Sequence, residues 1–240
     1  MEQDVELRSE RFLKLFRVLE GLLEKRYAGR RTTSGSVVIE YLHDADSAPC
    51  RSELDLCREI RNLLSHNTDD AGEAVVEPSE AVVETLREIV EYVQRPRLAR
   101  DYGTPGDSIV YAHPNDAALG VMRHMMRMGY SHVPVRDRTG LVGVFSAASL
   151  MRYLGNAGFE GLDDALKIGA LKNALEFDDD RSEKYEFFDQ DTTLTTVRAA
   201  FERRRGRNSR LAVAFITEDG TQHSDVLAML TSWDVLRDAE

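Results

Sequence analysis

Residues 107–240 contain an internal repeat, which dictates the architecture of the second half of this sequence. The first copy, about 107–155, opens with Ile109-Val110-Tyr111 and Asn115-Asp116. A helix follows with Leu119, Met122, Met125 and Met126. The copy ends with Ser131-His132-Val133-Pro134-Val135, a turn at Asp137–Gly140, the strand Leu141–Phe145 and the helix Ser146–Leu154. The second copy, about 183–240, has the same order. It runs through Tyr185–Phe188, Gln190-Asp191 and a helix with Leu194, Val197, Ala200 and Phe201. Leu211–Ile216, the turn Glu218-Asp219-Gly220, the strand Val226–Leu230 and the helix Thr231–Arg237 complete it. Asp116 matches Asp191 and Gly140 matches Gly220. Each copy reads as strand, helix, two strands and helix in the same order.

The first 100 residues have a different texture. Phe12, Leu15, Phe16, Leu19, Leu22 and Leu23 recur at spacings of three and four, from about Val5 to Tyr27. A second helix follows Pro49 with Leu54, Cys57, Ile60, Leu63 and Leu64. A third follows Pro78 with Val82, Val83, Leu86, Ile89, Val90 and Val93. Ser36–Leu42 has the Val-Val-Ile content of a strand, but its neighbours favour a fourth helix. Such elements with short connections predict a bundle. Pro96, Gly103, Pro105 and Gly106 mark 95–108 as a linker. The expected organisation is α+β in two domains: a helical bundle over 1–100 and the repeated pair over 104–240.

The formal net charge of −11 disfavours general polyanion binding, so a nucleic-acid contact would need a local basic patch. The N-terminal MEQDVELRSE lacks the apolar stretch of a signal peptide, and no apolar run has the length of a membrane span. The expectation is a cytoplasmic protein without membrane contact. Cys50 and Cys57 have neither disulfide-framework nor zinc-site spacing and read as core thiols; no metal is expected.

Each repeat copy resembles a cystathionine-β-synthase (CBS) domain, and the two together resemble the tandem pair of that family. The resemblance implies pseudo-symmetric packing, with clefts that take adenine nucleotides (AMP, ADP or ATP) as regulatory ligands. The family's ligand signature is a small apolar segment, then Thr or Ser, then Asp three residues later. By that resemblance the hydroxyl residue caps a helix and contacts phosphate, and the Asp accepts the ribose hydroxyls. A helix N-terminus suits the first role and an ionised carboxylate suits the second. Ala228-Met229-Leu230-Thr231-Ser232-Trp233-Asp234 keeps both residues. Gly143-Val144-Phe145-Ser146-Ala147-Ala148-Ser149 keeps the hydroxyl but has Ser149 in place of Asp. The family pattern sets Thr231 and Asp234 opposite Ser131, His132 and Val133. The Val133 backbone would meet the adenine edge, and Ser131 or His132 the phosphate. The departing site would combine Ser146 with Ser209, Arg210 and Leu211. Thr231 and Asp234 are also spaced as a capping box, which needs no ligand. The basic run Arg203-Arg204-Arg205-Gly206-Arg207, with Arg210, reads either as a solvated helix end or as phosphate recruitment to the cleft. Asp178-Asp179-Asp180 reads as a solvated linker between the copies.

Arg61-Asn62, three residues, then His66, near the end of the second helix, resembles the motif of HEPN domains, helical bundles found in many prokaryotic ribonucleases. Arg127 and His132 share the spacing but lie in the repeated half. The resemblance implies metal-independent RNA cleavage. His66 would serve as general acid or base, Arg61 would stabilise the phosphorane and Asn62 would orient it. Arg61 and His66 are about 140° apart on an ideal helix, so a site needs a distorted terminus or a second protomer. HEPN ribonucleases use the second solution, which implies a homodimer. Arg58, Arg61 and Arg30-Arg31 would draw RNA to an acidic chain. Two functions follow: a nucleotide-sensing regulator whose CBS pair controls a ribonuclease, or a non-catalytic sensor whose bundle mediates dimerisation or partner docking.

Overall fold

The computed structural model describes residues 7–28, 35–66, 77–158, 162–177, 182–203 and 209–236. The chain divides into two compact units, 1–96 and 97–240. Among the described residues no helix is long and apolar enough to cross a membrane.

The first unit consists of α1 (Arg8–Arg26), α2 (Val37–His43), α3 (Arg51–His66) and α4 (Glu80–Gln94). The three-and-four spacing on α1 puts Phe12, Phe16, Leu19 and Leu23 on one fully buried face. Leu86, Ile89 and Val93 of α4 and Leu54 and Cys57 of α3 close the same core. Each fully buried Leu or Phe contributes about 1.5–3 kcal/mol over its exposed state. Ser79 caps α4, its hydroxyl accepting the Val82 N–H. The ambiguous stretch at Ser36–Leu42 is helix α2. Val38 and Tyr41, three apart, both reach the core, so packing overrides its β-branched content. Cys57 is buried and Cys50 packs half-buried against the core. Burial pushes both thiols up to about 11, which keeps them protonated and inert at neutral pH. An ion pair between Arg26 and the buried Asp46 ties α1 to the turn after α2.

The second unit holds both repeat copies. In the first copy, β2 (His132–Asp137) pairs antiparallel with β3 (Gly140–Ser146), between helices α5 (Ala118–Met128) and α6 (Ala147–Ala157). In the second, β4 (Glu183–Phe188) runs parallel to β5 (Arg210–Thr217), which pairs antiparallel with β6 (Val226–Thr231). Helix α8 (Leu194–Glu202) lies between β4 and β5, and α9 (Ser232–Leu236) follows β6. Leu141 and Val144 of β3 share an apolar cluster with Val213 and Phe215 of β5, which joins the two copies. Their other faces pack on their own helices in separate clusters.

Three features differ from expectation. The strand expected at Ile109–Tyr111 is reduced to one parallel bridge, Ala112 to Val135. The segment 95–108, expected as a linker, is built into the second unit from 97 onward. Its strand β1 (Thr104–Pro105) pairs with Met229 and Ala228 of β6, and Ala99 N–H donates to Thr192 O at 2.9 Å. Gly106 is required there, since any Cβ would strike the Val226 carbonyl. Finally, a 3-10 turn at Ile168–Leu171 and the short helix α7 (Lys172–Leu175) lie between the copies. α7 packs so closely on β3 that a Cβ at Gly143 would meet the Leu175 carbonyl. Asp178–Asp180, Arg204, Arg205, Arg207, Arg30, Arg31 and Arg237 lie outside the described residues.

Candidate functional site

Both copies end their last strand in a hydroxyl residue that immediately precedes a helix. Ser146 ends β3, and its Cα partner is His132; Thr231 ends β6, and its Cα partner is Val213. In the first copy Ser146 Oγ accepts the Ser149 N–H at 3.2 Å, while Ser149 Oγ accepts the Ser146 N–H at 2.8 Å. That is a complete capping box. In the second copy Asp234 Oδ2 accepts the Thr231 N–H at 2.7 Å and the Thr231 hydroxyl at 2.8 Å. The third residue of each helix therefore reaches back in the same way, whether it is Ser149 or Asp234. Among the described residues Asp234 Oδ1 makes no hydrogen bond.

Ser131, His132 and Val133 are expected, by the resemblance above, opposite Thr231 and Asp234. Among the described residues no hydrogen bond or ion pair joins these two groups. His132 instead shares a cluster with Ser146. Its Nδ1 lies 2.9 Å from Ser131 Oγ and its Nε2 lies 3.5 Å from Glu183 Oε1, with its ring edge-on to Tyr185. Ser146 Oγ donates to Glu183 Oε2 at 2.7 Å, and the Tyr185 hydroxyl donates to the same oxygen at 3.1 Å. The neighbouring imidazole, with the Ser146 and Tyr185 hydroxyls, holds the Glu183 carboxyl down at about 2 against the opposing effect of burial. Burial, then the Glu183 charge, pushes the Tyr185 phenol up. Val133 is buried in the first copy's core and lines a cavity of about 290 Å³ with Tyr111, Asp116 and His124. Arg210 is exposed, with Glu183 as its Cα partner across β4 and β5. Arg203 pairs with Glu186 at 3.1 Å.

Glu183 is the residue that the sequence reading missed. One signal was present: Glu183, Tyr185 and Phe187 alternate along β4, so the carboxylate shares a face with two aromatics.

In the helical unit, α3 runs unbroken through His66. Arg61 Nη2 is 3.5 Å from Glu20 Oε1, and its guanidinium lies 5.9 Å from the Phe16 ring centroid. Asn62 is half-buried. A cavity of about 530 Å³ lies between α2 and α3, lined by Ile39, Leu42, His43, Arg51, Asp55 and Arg58; neither Arg61 nor Asn62 lines it. Among the described residues no group of three or more His, Cys, Asp or Glu is arranged to hold a metal ion.

The fold is a set of N-terminal helices followed by a CBS-like sheet arrangement. Residues 99–156, the first copy with the strand before it, match the family model of the CBS domain. No curated protein matches the chain. Solved structures with similar coordinates include a hemolysin-like protein containing a CBS domain from Oenococcus oeni PSU. It is 12% identical, with 62% of this chain and 93% of that one covered and a TM-score of 0.42. The CBS domain of a bacterial CNNM/CorC family Mg2+ transporter, in complex with ATP, is 17% identical over 63% and 92%, with a TM-score of 0.42. CbpB in complex with c-di-AMP is 16% identical over 64% and 89%, with a TM-score of 0.45.

Proposed function

We propose that this chain is a nucleotide-responsive regulatory protein. Its CBS-like half takes an adenine nucleotide (AMP, ADP or ATP) at Thr231 and Asp234, and its helical half carries the response. The observation that supports this most is the state of Asp234. Its Oδ2 is anchored by two bonds from Thr231, which fixes the carboxylate, and its Oδ1 makes none among the described residues. A fixed carboxylate with an open oxygen is a natural acceptor for a ribose hydroxyl. Ser131 and the Val133 backbone would complete the cleft. The test is calorimetry with AMP, ADP and ATP on the wild type and Asp234→Ala, with a thermal-shift screen beside it. A ligand at 100 times its Kd adds about 2.7 kcal/mol to stability. Equal affinity in the two proteins would overturn the assignment.

In this proposal the helical unit acts as a dimerisation or docking element, in a cytoplasmic homodimer. Arg61 supports that role, since it faces Glu20 and Phe16 of α1 rather than standing free. The second reading is an HEPN-like ribonuclease. One observation favours it: α3 is continuous through His66, so Asn62 and His66 stand one helical turn apart in the same element. A nucleotide would control either output only through unequal affinity for two states of the protein. Mixed RNA incubated with the protein in EDTA, with and without nucleotide, separates the two outputs.

A further inference from the structure

The two capped helices differ in where their carboxylate comes from. At Thr231 it belongs to Asp234, on the same helix. At Ser146 it arrives from the other copy: Glu183 opens β4 and reaches across to the Ser146 hydroxyl at 2.7 Å. The hydroxyl has one proton, and Glu183 holds it. The first free N–H that Ser146 could share with a guest, that of Ser149, already donates to Ser146 Oγ. The N-terminus of the eleven-residue helix α6 would ordinarily attract an anion, and here the chain supplies one. The site is well enclosed, since Ser146 is 2% exposed and the Glu183 side chain 22%.

The position that corresponds to Glu183 in the other copy behaves differently. Ser146 corresponds to Thr231, so the antiparallel registers equate Val135 with Ile216. The parallel partners of those residues are Ala112 and Phe188. Five residues before each stand Asp107 and Glu183. Asp107 is exposed, and among the described residues its carboxylate bonds only to the adjacent Ser108 hydroxyl, at 3.1 Å. Among the described residues, therefore, no carboxylate of the first copy bonds to Thr231 or Asp234.

We infer that Glu183 closes the Ser146 cleft to phosphate, so that the chain binds one nucleotide, at Thr231 and Asp234, and none at Ser146. This rests on the nucleotide reading of Asp234 and sets the stoichiometry of that binding. The exclusion is electrostatic. An incoming phosphate would meet a fixed negative charge where the family resemblance places a hydroxyl donor, in a site too enclosed for solvent to screen it well. The low carboxyl pKa of Glu183 keeps that charge in place throughout the neutral range. It also makes sense of Ser149: an aspartate at that position would set a second carboxylate beside the first, and the neutral hydroxyl makes the same backward bond to Ser146 without that repulsion.

The experiment is calorimetric titration of the full chain with AMP, ADP and ATP, for the wild type, Asp234→Ala, Glu183→Ala and Glu183→Gln, with circular dichroism to establish folding. The expected wild-type stoichiometry is one, and Asp234→Ala weakens that binding at least tenfold. Glu183→Ala is expected to admit a second equivalent, with affinity at the new site at least tenfold above wild type. Glu183→Gln, which keeps an acceptor for the two hydroxyls while removing the charge, should admit it too and serves if the alanine variant does not fold. A wild type that takes two equivalents, or a folded Glu183→Gln that still takes only one, overturns the inference and leaves the Asp234 assignment standing. A wild type that takes none while the Glu183 variants take one overturns the Asp234 assignment and supports the closure. Absence of binding in every protein overturns both.

Discussion

Thr231 gives its backbone N–H and its hydroxyl to one oxygen of Asp234, at 2.7 and 2.8 Å. Asp234 is thus both a helix cap and, in the proposed function, the ribose acceptor, and two substitutions separate these roles. Asp234→Asn keeps an amide oxygen for the Thr231 N–H and should stay within about 0.5 kcal/mol of wild-type stability, whereas Asp234→Ala should cost about 0.5–2 kcal/mol, as lost caps do. Both should weaken nucleotide binding by about 1.5–3 kcal/mol, because both remove the charged acceptor. Urea melts and calorimetry on the same preparations check this. If Asp234→Asn binds nucleotide as wild type does, the charge at 234 has no ligand role.

The Glu183 carboxyl predicts a specific acid sensitivity. Its folded pKa of about 2 lies below the ordinary value near 4.5. Its contribution is therefore fully present above pH 4.5 and is lost as the pH falls through 2. By linkage that shift corresponds to stabilisation on the order of 3 kcal/mol at neutral pH. Glu183→Gln carries no such proton linkage. Its unfolding free energy should fall less steeply than that of the wild type between pH 4.5 and 2. Parallel curves over that window would mean that the Ser146 and His132 contacts do not stabilise the charge.

The Arg26–Asp46 pair should dominate the stability of the helical unit. Asp46 is 2% exposed, and the Arg26 guanidinium also lies 5.5 Å from the Tyr41 ring centroid. Arg26→Ala removes one partner of a buried carboxylate and should cost about 3–5 kcal/mol in a urea melt. Arg26→Lys keeps the charge but not the planar fork and should fall between the two. A loss under about 1 kcal/mol in Arg26→Ala would show that Asp46 is satisfied by its other contacts.

The repeat was legible because strand alternation and helix spacing are local signals, and each copy carried them in the same order. The two caps were legible for the same reason, since three residues separate Ser146 from Ser149 and Thr231 from Asp234. Glu183 was not. Its partner Ser146 is 37 residues away, and alternation along β4 gives the face of a residue without saying what that face meets. The segment 97–108 misled in a physical way. Its glycines and prolines read as a linker, yet Gly106 is there to let backbone approach backbone at β6. The turn and helix at 168–175 follow no periodic run long enough to announce them, and the helix packs against β3, which is distant in sequence.

The last prediction concerns Arg61. Its guanidinium lies 3.5 Å from Glu20 and 5.9 Å from the Phe16 ring centroid. Both contacts are made with α1, so a purely structural Arg61 has a small, defined effect. Arg61→Ala should lower stability by about 0.5–1 kcal/mol, the range of a partly exposed ion pair with a weak cation–π contribution. Glu20→Ala should lower it by a similar amount, and the double variant by less than the sum of the two. A catalytic Arg61 makes a different pattern. Cleavage of mixed RNA in EDTA would fall together in Arg61→Ala and His66→Ala, leaving cyclic or 3′-phosphate ends in the wild type alone. The docking reading expects coupling between Arg61 and Glu20 in the melts and no RNA cleavage that depends on His66. The nuclease reading requires Arg61 to leave Glu20 when two chains meet. Glu20→Ala would then raise cleavage by releasing the guanidinium, and it would leave a pure docking element unable to cut RNA at all.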